Sequence, residues 1–186
     1  MAGKLLQVAS TTVTTAVSAI DFSTKITDNN VYQLVFTNLA PTSDSQNLEF
    51  RVTKTSDNSP DSTSNYDRAG KRLRGNTTFS DVTVQNDDSF IQDTLGNGTG
   101  ESYSGIYNLY NFFDSNLYSM ATFRPTGYNS SPYLVANTGA FWHTVAQSNN
   151  GIYIFFASGT IASGTVALYK VLAWQKDNLE IKSLAI

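Results

Sequence analysis

In the segment NLEFRVT, Leu48, Phe50 and Val52 fall on one side of an extended chain, while Asn47, Glu49, Arg51 and Thr53 fall on the other. A period of two is what a strand with one buried and one wet face requires, whereas an amphipathic helix needs a period near 3.6. The same alternation recurs in VYQLVFTN (Tyr32, Leu34, Phe36), SDVTVQ (Val82, Val84), LYSMATFR (Leu117, Ala121, Phe123) and AFWHTVAQ (Phe141, His143, Val145). TTVTTAV, GIYNLYNF and PYLVAN are further strand candidates. Asn, Asp, Ser and Gly clusters separate these runs, and such clusters form turns. The expectation is an all-β chain: one antiparallel, jelly-roll-like β-sandwich domain over residues 1–186, of about eight to ten strands, with terminal arms at 1–10 and 176–186.

The most patterned stretch is GIYIFFASGTIASGTVALYKV, Gly151 to Val171. Two apolar runs flank a loop in which Ser-Gly is written twice, so the spacing predicts a β-hairpin with Gly159 and Gly164 at positive φ. Apolar residues occupy both faces of 151–157, which points to burial on both sides. The expected core includes Leu48, Phe50, Val52, Val82, Val84, Phe155 and Leu168.

Composition narrows the function. Charged residues make up 15% of the chain and hydrophobic ones 40%, so the surface is supplied by Ser, Thr and Asn rather than by ions. A net charge of −3 gives no field for a nucleic-acid partner. The absence of cysteine excludes thiolate metal sites, disulfides and a cysteine nucleophile. The start, MAGKLLQVAS, has no apolar core of a secretory signal, and no apolar run is long enough to span a membrane, so synthesis and use without export are expected.

Catalytic signatures are sparse. The single histidine, His143, sits in an alternating strand without a nucleophile elbow, so it reads as a structural or surface residue. Asp87, Asp88, Asp93, Asn97 and Glu101 are hard oxygen donors, but their spacing matches no calcium loop. GNGTG lacks the Lys and the following helix of a phosphate loop. No pair of carboxylates stands out for glycoside cleavage. The expectation is a non-enzymatic chain without metal or cofactor.

Contacts are expected instead from two long polar segments read as loops, 54–76 and 86–102. The first carries the basic run Lys71, Arg72 and Arg74, which suits an acidic neighbouring subunit. The aromatic segment YSGIYNLYNFF contributes Tyr103, Tyr107 and Tyr110, and Trp142 lies further along. By parity half of these rings face inward, and the rest suit a protein interface or a carbohydrate platform.

FFASGTIASGTVALYKV resembles a C-terminal signature of small structural proteins of tailed, including marine, bacteriophages: an apolar strand, a Ser-Gly-x-Ile-Ala-Ser-Gly loop, and a strand ending in Leu-Tyr-Gly. Ser158, Gly159, Thr160, Ile161, Ala162, Ser163, Gly164, Leu168 and Tyr169 match, and Lys170 stands where Gly is usual. YQLVFTNLAPTSDSQNLEFRV and GNGTGESYSGIYNLYN are similar to two earlier landmarks of that group, in the same order. The resemblance implies a β-sandwich virion component, a capsid decoration, fibre or tail-associated protein, made in the host cytoplasm. It further implies a symmetric homo-oligomer, a trimer favoured, in contact with other virion proteins. The alternative is a carbohydrate-binding module for a host surface glycan, resting on the Tyr/Asn segment and Trp142.

Overall fold

The computed structural model describes residues 4–76, 79–128, 130–131 and 133–172, apart from the side chain of Asp93. Twelve strands run through them: β1 (Lys4–Val13), β2 (Ala19–Asp21), β3 (Tyr32–Pro41), β4 (Gln46–Lys54), β5 (Tyr66–Arg74), β6 (Ser80–Asp87), β7 (Phe90–Leu95), β8 (Tyr103–Tyr110), β9 (Tyr118–Tyr128), β10 (Leu134–Ala146), β11 (Asn149–Phe156) and β12 (Ile161–Leu172). They form two antiparallel sheets: eight strands in the order β1-β12-β3-β8-β9-β10-β5-β6, and four in the order β2-β11-β4-β7. The protein is an all-β antiparallel sandwich, with no helix among the described residues.

One core lies between the sheets, because the alternating positions of both turn inward. Tyr32, Leu34, Phe36, Tyr107, Leu109, Ala121, Phe123 and Phe141 come from the large sheet, and Leu48, Phe50, Val52, Ile152, Ile154 and Phe156 from the small one. Each fully buried Leu, Ile or Phe contributes about 1.5–3 kcal/mol of hydrophobic stabilisation. The rings meet across the gap: Tyr107 lies 5.0 Å from Phe50 and 5.7 Å from Phe141, and Phe90 stacks on Phe141 at 3.6 Å.

Several expectations need correction. Segment 54–76 is not one loop, since Tyr66–Arg74 is β5; likewise Phe90–Leu95 within 86–102 is β7. Residues 4–10 are not a loose arm but part of β1, paired along β12 from Lys4↔Leu172 to Val13↔Gly164. The proposed arm at 176–186 lies outside the described residues. The two candidate strands PYLVAN and AFWHTVAQ merge into the single strand β10.

Leu48, Phe50, Val52 and Leu168 are buried, as their alternation requires. Val82 and Val84 are only half-buried, because β6 is the edge of the large sheet and little lies beyond it. Phe155 is half-buried on the outer face of β11, since Ile152, Ile154 and Phe156 take the inner one. The Arg51 guanidinium covers it, 4.8 Å from the ring centroid.

Candidate functional site

The β11–β12 loop, residues 157–160, sits at one end of the sandwich. Gly159 has φ 79°, as a hairpin loop needs, and Thr160 accepts there from the backbone N–H of Thr42 at 2.9 Å. Thr42 belongs to the β3–β4 turn, and its hydroxyl lies 3.1 Å from that of Thr160. Asn97 Nδ2 then donates to the Thr42 carbonyl at 3.0 Å, which brings in the loop before β8. Three segments far apart in sequence thus meet as one exposed cluster. Ser43, Asp44, Ser158 and Gly159 are its exposed surface. Lys170 ties the other end of β12 to the 28–30 turn by an ion pair with Asp28. Burial presses the Asp28 carboxyl upward, but Lys170, Asn30 and Tyr32 prevail and hold it at about 2.

The second surface is the outer face of the large sheet. Cross-strand pairing carries the row Gln33–Asn108–Thr122–Ala140–Ala69–Thr83 across β3, β8, β9, β10, β5 and β6. A neighbouring row runs Tyr110–Met120–Trp142–Asp67. Trp142 is 47% exposed, and Tyr110 shares its face. Lys71 is also on this face and pairs with Asp81 across β6.

The expected contact residues therefore separate. Tyr103 and Tyr107 are fully buried and form no part of a surface, because odd positions of β8 point between the sheets. Asn137 Nδ2 donates to the Tyr103 hydroxyl, and the Tyr107 hydroxyl donates to Gln92 Oε1. Arg72 and Arg74 take the inner parity of β5, opposite the buried Asn137 and Val135, and Arg74 stands over the ring of Tyr133 at 5.9 Å. The basic run is thus split by the pleat rather than gathered on a loop. Tyr110, Trp142 and Lys71 remain on one face of the sheet.

A third cluster is buried. His143 Nε2 donates to Asp61 Oδ2 at 3.2 Å, and Asp61 also accepts from the Thr63 N–H and hydroxyl and from Gln147 Nε2. Gln147 bonds Asn149, which donates to Ser119, the residue opposite His143 on β9. Burial pushes the imidazole below its ordinary value, against the pull of the Asp61 carboxylate, so the ring is neutral at neutral pH. Burial also presses on Asp61, but its hydrogen bonds from Thr63 and Gln147 hold it low. Serine, histidine and aspartate stand together here, yet His143 and Ser119 have no exposed surface, so no substrate reaches them in this structure. Asp61 gives no alternation signal; only the Asp-Ser-Thr sequence, a turn in which the carboxylate caps Thr63, marks it.

Of the oxygen donors considered for calcium, Asp88 pairs with Arg51, Glu101 accepts from the Gly98 N–H, and Asn97 serves Thr42. The side chain of Asp93 lies outside the described residues. No group of three or more metal-ligating side chains occurs among the described residues. No described helix is long and apolar enough to cross a membrane. No protein-family model, curated protein or solved structure matches the chain.

Proposed function

We propose that this chain is a non-enzymatic structural component of a tailed-bacteriophage particle, a decoration, fibre or tail-associated protein that assembles as a symmetric homo-oligomer. The observation that carries the reading is the loop cluster. The three segments that resemble landmarks of such proteins are dispersed in sequence, and they share one hydrogen-bonded end of the sandwich through Thr42, Thr160 and Asn97. Small exposed side chains there let another surface approach the backbone closely.

Ser158→Arg, at the exposed tip of the cluster, adds bulk and charge without touching the core. Its expected outcome is an unchanged melting temperature for the isolated chain with reduced incorporation into particles, read by quantitative mass spectrometry of purified virions. Light scattering on the native chain is expected to give a closed oligomer. A monomeric chain absent from particles defeats the reading.

A further inference from the structure

On the outer face of the large sheet, between β10 and the edge strand β6, lies an open trough of about 770 Å³. Its size falls within the range of small-ligand sites. The floor is made by Ala69 and Ala140, which pair across β5 and β10 and leave room where larger residues would stand. The indole of Trp142 forms one wall, nearly half exposed. Thr83, Gln85 and Asp67 line the trough with it.

Of these polar groups Asp67 is held in place. Asn86 adopts φ 54° at an irregularity of the β5–β6 ladder, and its N–H donates to Asp67 Oδ1 at 2.9 Å. That bond fixes the carboxylate with its second oxygen available. Thr83, Gln85 and Trp142 make no side-chain hydrogen bond among the described residues, so a hydroxyl, an amide and an indole N–H of the trough lining are unspent.

We propose that this trough binds a neutral saccharide, one ring stacked on Trp142 and its hydroxyls bonded by Asp67, Gln85 and Thr83. A pyranose presents an apolar C–H face and a rim of hydroxyls. An exposed indole matches the first, and a carboxylate and an amide, each with more than one bonding position, match the second. Charge favours this occupant over a nucleotide: Asp67 repels phosphate, the Arg68 guanidinium turns inward to the Ile91 and Gln92 carbonyls, and the nearby Lys71 is paired with Asp81. Apolar area favours it over a protein partner, since one indole and two alanine methyls make too small a dry centre for an interface. The row Thr83–Ala69–Ala140–Thr122–Asn108–Gln33 continues the polar surface over five inter-strand steps, roughly 24 Å, enough for an oligosaccharide laid across the strands. The site stands on the trough alone and does not depend on the particle reading.

The test uses the full chain carrying Trp174→Phe, which leaves Trp142 as the sole tryptophan of the two in the sequence. Its fluorescence is titrated with a panel of neutral hexasaccharides: maltohexaose, cellohexaose, mannohexaose and laminarihexaose. The expected result is a saturable change with at least one of them. By calorimetry, Trp142→Ala and Ala140→Leu should each weaken that binding at least about tenfold while the melting temperature holds. Gln85→Ala, at the edge strand, serves if either variant fails to fold, with the same loss expected. The proposal is overturned if no member of the panel binds, if binding survives these variants, or if Trp142→Ala instead abolishes self-association, which would make the face a contact between copies.

Discussion

Gly164 has φ 123° and lies inside β12, not at the mouth of the hairpin loop. The ladder with β3 slips between Ser163 and Thr165, and on the β3 side Asn38 takes φ 52°, so two residues oppose one. A Cβ on Gly164 would stand 2.7 Å from the Leu39 Cα, a backbone atom that cannot step aside. Gly159 also has positive φ, but its added Cβ would meet the tips of Thr42 and Ser43 at 3.2 and 3.3 Å, and those side chains can turn away. Gly164→Val is therefore expected to cost more than Gly159→Val. Left-handed strain alone contributes about 1–3 kcal/mol at either position. At roughly 2–4 °C per kcal/mol for a chain of this size, thermal unfolding should rank the variants native, Gly159→Val, Gly164→Val. Equal melting temperatures for the two variants would show that the Leu39 contact yields freely.

At the scale of elements, the least obvious strand is β5. Its sequence YDRAGKRLR is charged and contains a glycine, and the hydrophobic pattern does not mark it. Arg68 explains how such a strand enters the core. Its guanidinium is buried, donates to the carbonyls of Ile91 and Gln92 at 2.6 and 2.8 Å, and lies 5.1 Å from the Phe123 ring centroid. The β4–β7 ladder slips between Asn47 and Glu49, opposite these residues, and the arginine from the other sheet takes up the two carbonyls. Arg68 thus clamps β7 to the large sheet. Arg68→Ala strands two buried acceptors at about 1–3 kcal/mol each. Native-state hydrogen exchange should then speed at β7 amides well before β11 amides. Uniform acceleration across both strands would mean that the clamp acts on the whole fold rather than on β7.

For the whole molecule, the buried polar groups set the response to acid. His143 is depressed below its ordinary 6.5, so the unfolded chain takes up that proton first, and stability falls as pH drops below about 6.5. Asp61 is depressed below 3.8 and Asp28 lies at about 2, so their contributions are present above pH 3.8 and disappear as pH falls through the folded values. Glu49, raised above 4.5 by burial despite a bond from Ser89, works the other way: it favours the fold at low pH and loses that contribution as pH rises through its folded value. Urea midpoints between pH 8 and 5 should therefore decline, and His143→Gln should flatten that part of the curve. A decline of unchanged slope in His143→Gln would assign the acid response to other groups.

The sequence by itself determined the class of fold and the two faces of most strands, because a period of two acts through neighbours along the chain: Leu48, Phe50 and Val52 had to share a side. It also marked Gly159 and Gly164 as left-handed, since a missing Cβ makes positive φ cheap. Tertiary structure alone decided which side of a doubly apolar strand turns inward, so that Ile154 rather than Phe155 faces the core. It also decided that Tyr103 and Tyr107 enter the core while Trp142 stays outside, and that Asp61 meets His143 across 82 residues of chain. Those outcomes depend on strand order and register, and these are fixed by contacts between residues remote in sequence, to which local periodicity is blind.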